Sequence, residues 1–353
     1  MEKTSHISFF ADSDLGQHRS NNEDAFIVQN IWDNDNVLAV AIDGVGGYEG
    51  GEVAAAIAKD TIVEYLENFT NGERVDLLKQ AVVEANNNIF KSRAESEEYK
   101  NMSCVLTAIL VETKKGLLHM AHIGDTRLYQ YHQGEIKKLS HDHSLVGYRE
   151  EVGELTEEEA MCHPQRNVIG RDMGSKYLEM NTDQIEMETF NLKSNSILLL
   201  CSDGLSDMIT SSMMCGVLST SMTLEEKVKT LIDKANQAGG NDNITVVLVE
   251  YTGEEIMIQK SPDKSADEIV ADDDKSNEIE YTKNTDCKKE LLQIRSLLVS
   301  IIIMLFIILL GVGFLMYNLA IEKNIFKPKS PQVEMVGDKE SLQQNNDNVQ
   351  NLQ

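Results

Sequence analysis

Hydrophobic and polar positions fall into three regimes along the 353-residue chain. From about residue 5 to residue 251, short apolar runs alternate with polar punctuation rich in Gly, Asn and Asp. Runs of β-type composition cover residues 7–11, 37–42, 105–111, 117–123, 127–131, 197–201 and 244–251, and several are bounded by residues that end strands. Residues 52–69 behave differently, with Val53, Ile57, Ile62, Leu66 and Phe69 at three- to five-residue intervals. That period, repeated over 75–94, predicts two successive amphipathic helices. A third helix is expected over 224–238, stopped by Gly239-Gly240. An adjacent helix pair among strands in hairpin-like succession predicts α+β layers rather than a doubly wound parallel sheet.

The pattern changes after residue 253. Residues 254–294 are rich in Asp, Glu, Lys and Ser and poor in aromatics, the composition of a flexible acidic linker. Asp272-Asp273-Asp274 belongs to that linker. Residues 297–317 hold no charged side chain. At ~1.5 Å per residue they span about 30 Å, the thickness of a bilayer's hydrocarbon core, and predict one transmembrane helix. Lys288, Lys289 and Arg295 precede the span and Lys323, Lys327 and Lys329 follow it, so flanking charge leaves its orientation open. Residues 1–10 lack the pattern of a secretory signal, which places the domain at 5–253 in the cytoplasm of a single-pass membrane protein. The polar segment 318–353 is then a short disordered tail outside.

Composition adds two constraints. A formal net charge of −26 argues against nucleic-acid binding through a general basic surface. The five cysteines show no paired or metal-ligand spacing, as expected for reduced thiols in the cytosol.

Candidate chemistry sits where strands end. Asp43-Gly44-Val45-Gly46-Gly47 closes the run 37–42, joining an acid to glycines that let a backbone carbonyl approach the same ligand. The arrangement recurs at Ser202-Asp203-Gly204, at Gly124-Asp125-Thr126-Arg127, at Asn241-Asp242-Asn243 and at Glu23-Asp24. A single Asp-Gly is an ordinary turn dipeptide. Five acidic strand ends in one domain suggest a shared site for a hard cation such as Mg²⁺ or Mn²⁺, which takes oxygen ligands. Metal-activated hydrolysis of a phosphate ester fits such a cluster.

In their order along the chain these motifs resemble the metal-dependent serine/threonine protein phosphatases of type 2C. The resemblance runs from Gly16 to Thr245. It comprises Arg19-x-x-Asn22-x-Asp24, the Asp43 motif with Gly51-Glu52, Gly124 to Arg127, Asp142-His143-Ser144, His163-Pro164, Arg166 to Ile169, Ser202 to Asp207, and Gly239 to Thr245. It implies a four-layer α-β-β-α sandwich and a dinuclear Mn²⁺ or Mg²⁺ centre, with a third ion possible. Asp43 would bridge the two metals, with the Gly44 carbonyl on one. Asp203 and Asp242 would hold one ion, Glu23 and Asp24 the other, directly or through water. Asp125 with Asp203 would form the weaker third site, and Arg19 would grip the phosphate. Asp207 would support that region or cap a helix start, and Asn243 would orient Asp242 or a water. His141 and His143 would be structural residues at the start of a flap over 145–173, and Asp142 between them would contact the metal shell indirectly.

Val45 and Tyr48 stand where many members carry histidine, but no metal ligand is missing. The expected partners are phosphorylated proteins, among them a Ser/Thr kinase whose action the enzyme opposes. A narrower variant is a regulatory phosphatase with one dedicated phosphoprotein. The alternative is a catalytically inactive phosphoprotein-binding module of the same fold.

Overall fold

The computed structural model describes residues 6–46, 50–95 and 97–254. Ten strands form two antiparallel five-stranded sheets among the described residues. One sheet contains β2 (Ala25–Asn30), β3 (Asn36–Val45), β4 (Ser103–Glu112), β5 (Leu117–Ile123) and β8 (Glu186–Asn191), side by side in that order. The other runs β1 (Ile7–Asp14), β10 (Ile244–Tyr251), β9 (Ser196–Cys201), β6 (Arg127–His132) and β7 (Glu135–Lys138).

The unbroken apolar runs of the sequence follow from cover on both faces. Along β3, Val37, Ala39 and Ala41 point into the core between the sheets, while Leu38, Val40 and Ile42 point to the helices outside. In β10, Val247 and Val249 point inward, and Val246 and Leu248 outward. A strand buried on both faces has no polar face to alternate with, so period 2 disappears from its sequence. Each fully buried Leu, Ile or Val contributes about 1.5–3 kcal/mol.

Helices α1 (Gly50–Asn68) and α2 (Arg74–Glu95) cover the first sheet. Ala54, Ala58, Ile62, Leu66, Leu78 and Ile89 join its outer face in one cluster. Helices α5 (Asp203–Ser206), α6 (Ser211–Leu218) and α7 (Leu224–Gln237) cover the second, through Leu205, Met214, Val228, Leu231 and Ala235. Thr223 and Glu226 form a reciprocal capping box at the start of α7, which satisfies two otherwise orphaned backbone donors. The expected α-β-β-α layering is therefore present. Helices α3 (Leu145–Glu151) and α4 (Glu157–Met161) lie in the connection between β7 and β8, the segment expected to form the flap.

The hairpin-like succession expected of the strands does not extend to the runs 117–123 and 127–131: β5 pairs with β4 and β8, whereas β6 pairs with β7 and β9 in the opposite sheet. Their three-residue link crosses the sandwich. Gly124 makes the crossing with φ at +111°, where an added Cβ would collide with the Val105 side chain. The crossing carries Asp125 to the edge between the two sheets.

Among the described residues no helix is long and apolar enough to cross a membrane. The predicted transmembrane helix at 297–317, the tail at 318–353, all but Glu254 of the linker at 254–294, and Gly47 and Tyr48 lie outside the described residues.

Candidate active site

Strand register gathers the acidic turns at one end of the sandwich. Asp14 pairs with Ile244, Ala25 with Ile42, Leu106 with Ile123, and Arg127 with Cys201. Residues 15–24, 124–126, 202–203 and 241–243, just beyond these pairs, therefore leave the sheets on the side where Asp43 to Val45 form the end of β3, still paired with β4. They surround a cavity of about 210 Å³ whose lining includes Arg19, Glu23, Asp43, Gly44, Asp125, Asp203 and Asp242. Seven of the eight residues singled out from the sequence thus line one space. The eighth, Asp24, stands behind it, its Oδ2 accepting a 2.7 Å hydrogen bond from Ser202 Oγ.

A hydrogen-bonded frame holds these turns together. Asn243, only 3% exposed, accepts from the Glu23 backbone N–H at 2.8 Å and donates to the carbonyls of Leu15 and Asn21, both at 3.0 Å. Its own N–H donates to Asp242 Oδ1 at 2.8 Å. Ser202 Oγ in turn accepts from the Thr245 N–H at 3.0 Å. Gly44 lies against the start of α1, and a Cβ there would collide with the carbonyls of Gly51 and Glu23. Only glycine permits that approach of α1 to the end of β3, where Asp43 and Gly44 line the cavity. Sequence reasoning quoted Ser202 only as the first residue of a motif and gave it no role, and assigned Asn243 to Asp242 or a water rather than to the 15–23 segment.

Electrostatics at this end are one-sided. Withdrawal from water raises the Asp43 carboxyl well above its usual range, and Asp24, Asp203, Asp125 and Asp242 push it further. Asp203 is raised in the same way, by burial and then by Asp125, Asp207, Asp242 and Asp24. Asp24 and Asp125 are each pushed up to about 7, burial again being the leading cause. Glu23 is raised as well, chiefly by burial. Arg19 offers partial compensation: its Nη2 donates to Asp242 Oδ2 at 2.7 Å. A buried oxygen of Asp203, Oδ1, has no hydrogen-bond partner. An acceptor left bare in this way costs about 1–3 kcal/mol. Crowded carboxylates, a bare buried oxygen and a cavity lined without His or Cys together fit a hard divalent cation.

Neighbouring motif residues are held in ion pairs and hydrogen bonds. Asp207 is the C-cap of α5, not a helix start, and its Oδ2 accepts from Arg166 Nε at 2.9 Å. Asp142 is buried and accepts from Arg127 Nε and Nη2 at 2.9 and 2.7 Å. Ligand atoms of His122, His143 and Glu186 lie within 4.8 Å of one another. His122 Nε2 faces the His141 carbonyl at 3.0 Å, so it carries the proton, and Nδ1 meets the Thr107 hydroxyl at 2.9 Å. His143 Nδ1 accepts from the Gly124 N–H at 3.1 Å, and its own N–H donates back to the Gly124 carbonyl at 2.7 Å. These rings fasten the 124–126 crossing, consistent with the structural role expected of His143.

Comparison with known proteins agrees with this geometry. The family profile described as Protein phosphatase 2C matches residues 16–248. The serine/threonine phosphatase stp of Listeria welshimeri is 34% identical over 259 residues, covering 72% of this chain and 98% of its own. The crystal structure of the Mycobacterium tuberculosis serine/threonine phosphatase PstP/Ppp superposes with a TM-score of 0.62 at 30% identity, over 70% of this chain and 99% of that one. A catalytic domain of serine/threonine protein phosphatase PstP in complex with two manganese ions gives a TM-score of 0.60 at 28% identity, with 70% and 99% coverage. The acidic end of the sandwich lies wholly within the matched span, and on these grounds the chain belongs to the protein phosphatase 2C family and is a protein serine/threonine phosphatase.

Proposed function

We propose that the enzyme hydrolyses phosphoserine and phosphothreonine in proteins at a dinuclear Mn²⁺ or Mg²⁺ centre built on the 210 Å³ cavity. The observation that carries this reading is the convergence of raised-pKa carboxylates on a bare buried oxygen of Asp203. Asp43, the Gly44 carbonyl, Asp203, Asp242 and Glu23, which all line the cavity, would hold the ions. Asp24 acts from behind, through Ser202. Asp125 with Asp203 offers a third, weaker position. Bound divalent ions supply the positive charge that acidifies a nucleophilic water and neutralises phosphoryl oxygens. The chain's own contribution is to hold acceptors in place, exclude bulk water and present Arg19. Arg19, which borders the cavity and pairs with Asp242 at 2.7 Å, would grip the phosphoryl oxygens, for which its fork geometry suits it. Mn²⁺-dependent hydrolysis of a phosphothreonine peptide by the full chain, beside Asp43→Ala and Asp203→Ala, tests the reading. Turnover that collapses in both variants supports it. A folded protein without turnover under any divalent ion would promote the inactive phosphoprotein-binding module.

The enzyme is further proposed to be a single-pass membrane protein with its catalytic domain in the cytoplasm, opposing a Ser/Thr kinase there. The charge-free span at 297–317 supports the anchor. The free thiols of Cys104, Cys162, Cys201 and Cys215 suit a reducing compartment. Release of the full chain from membranes by a high-pH carbonate wash would count against the anchor.

A further inference from the structure

A second, larger depression opens beside the catalytic cavity and shares Arg19 and Glu23 with it. It measures about 750 Å³ and runs along the outer face of α1. Half-buried Val53 and Ile57 form its floor with exposed Ala56, and Tyr99 stands at the side. Asn21 Nδ2 donates to Glu52 Oε2 at 2.9 Å, which ties the helix to the segment that bears Arg19. The charged lining is Arg19 against Glu23, Glu52 and Asp60. Arg19 is already paired with Asp242, and Lys59 of the same helix is drawn aside, 5.7 Å over the Phe26 ring. The groove is thus apolar at its base, acidic at its rim and continuous with the space proposed for the phosphoryl group.

We propose that this groove binds the extended peptide flanking the phosphorylated residue, accepting an apolar side chain beside it and a Lys or Arg beyond. The inference rests on the phosphatase reading. From Val53 to Asp60 the helix rises about 10 Å, the length of about three residues of extended chain. A residue next to the phosphorylated one therefore falls over Val53 and Ile57, and one about three positions away reaches Asp60. Apolar burial anchors the strand, while three carboxylates against the single Arg19, itself paired with Asp242, attract a basic residue and repel an acidic one. The full chain is itself strongly acidic, which adds long-range attraction for basic segments at low salt.

The test measures kcat/KM of the full chain with Mn²⁺ at low ionic strength, on p-nitrophenyl phosphate and on matched phosphothreonine peptides. The parent peptides carry Leu adjacent to the phosphothreonine and Arg three residues away, placed on either side. Partner peptides replace Arg with Glu, or Leu with Ser. On one side, the Arg peptide is expected to exceed the Glu peptide by about fivefold, the scale of an exposed charge contact. Asp60→Lys should erase or invert that ratio, and Ala56→Trp should raise KM for the Leu-Arg peptide far more than it lowers kcat. Wild-type hydrolysis of p-nitrophenyl phosphate with no preference among the peptides would overturn the groove and leave the phosphatase reading standing. Absence of hydrolysis on every substrate would remove both.

Discussion

Asn243 and Asp203 show two opposite states of a buried polar side chain, and they predict opposite responses to substitution. Every polar atom of the Asn243 amide is used, so Asn243→Ala strands the Glu23 N–H and the Leu15 and Asn21 carbonyls. Three hydrogen bonds are lost, each worth about 0.5–1.5 kcal/mol, and a matching drop in the urea midpoint of the metal-free protein is expected. Asp203 instead carries an oxygen with no partner and a charge that its neighbours oppose. Asp203→Asn should therefore stabilise the metal-free protein while lowering metal-dependent turnover by ~100- to 1000-fold, the scale of removing one preorganised electrostatic group. Equal destabilisation by both substitutions would contradict this assignment. Asp43 and Asp203 were legible in the sequence because Asp followed by Gly at the end of an apolar run is a local signal, whereas Glu23, Asp24, Asp125 and Asp242 were legible through the ordered motifs that hold them. The contacts of Asn243 were not, since its partners lie 220 to 228 positions away and nothing near residue 243 encodes them.

Elements were legible to the extent that burial leaves a periodic trace. Helix α1 announced itself through Val53, Ile57, Ile62 and Leu66, and β9 through an apolar run closed by Ser202-Asp203. The assignment of β5 and β6 to different sheets was hidden, because a three-residue link with a glycine reads as a hairpin until the cross-strand partners are known. That crossing depends on an anchor also absent from local sequence. Arg127, at the start of β6, bonds both Asp142 and Glu150, while Lys138 at the end of β7 bridges Asp142 and Glu151. The cluster pins α3, and hence the start of the flap, to the second sheet. Because Arg127 and Asp142 are 9% and 3% exposed, removing one leaves the other charged and buried. Asp142→Ala is expected to cost about 3–5 kcal/mol, read as a lower urea midpoint with proteolytic cleavage appearing first within 145–173. Cleavage unchanged in that segment would show that the clamp does not hold the flap.

Across the whole molecule, the cost of crowding acids at one end should appear as a link between protons, cations and stability. In the unfolded chain these carboxyls return to ordinary values near 4. In the metal-free fold Asp207 is pushed up to about 6 and Asp24 and Asp125 to about 7, and burial with neighbouring acids raises Asp43 and Asp203 well above the usual carboxylate range. A raised carboxyl keeps its proton in the fold after the unfolded chain has released it, so its contribution to stability declines as pH rises from about 4 through the folded value. His122 and His143 act oppositely in the same window, since burial holds both neutral in the fold, with His143 pushed down to about 3. A bare melting curve therefore mixes the two effects. Comparing Tm with and without a fixed concentration of Mg²⁺ at each pH cancels the histidines and isolates the acids. An ion must displace the protons it finds on its ligands, so its apparent affinity rises with pH, and stabilisation follows that affinity by mass action. The Mg²⁺-induced rise in Tm should accordingly be small at pH 5 and grow steadily to pH 7.5. In Asp43→Asn, which removes the carboxylate facing all the others, the metal-free Tm should increase and the pH-dependent gain from Mg²⁺ should shrink. A gain that is flat with pH, or largest at pH 5, would mean that the acidic end of the sandwich is not where the cation binds.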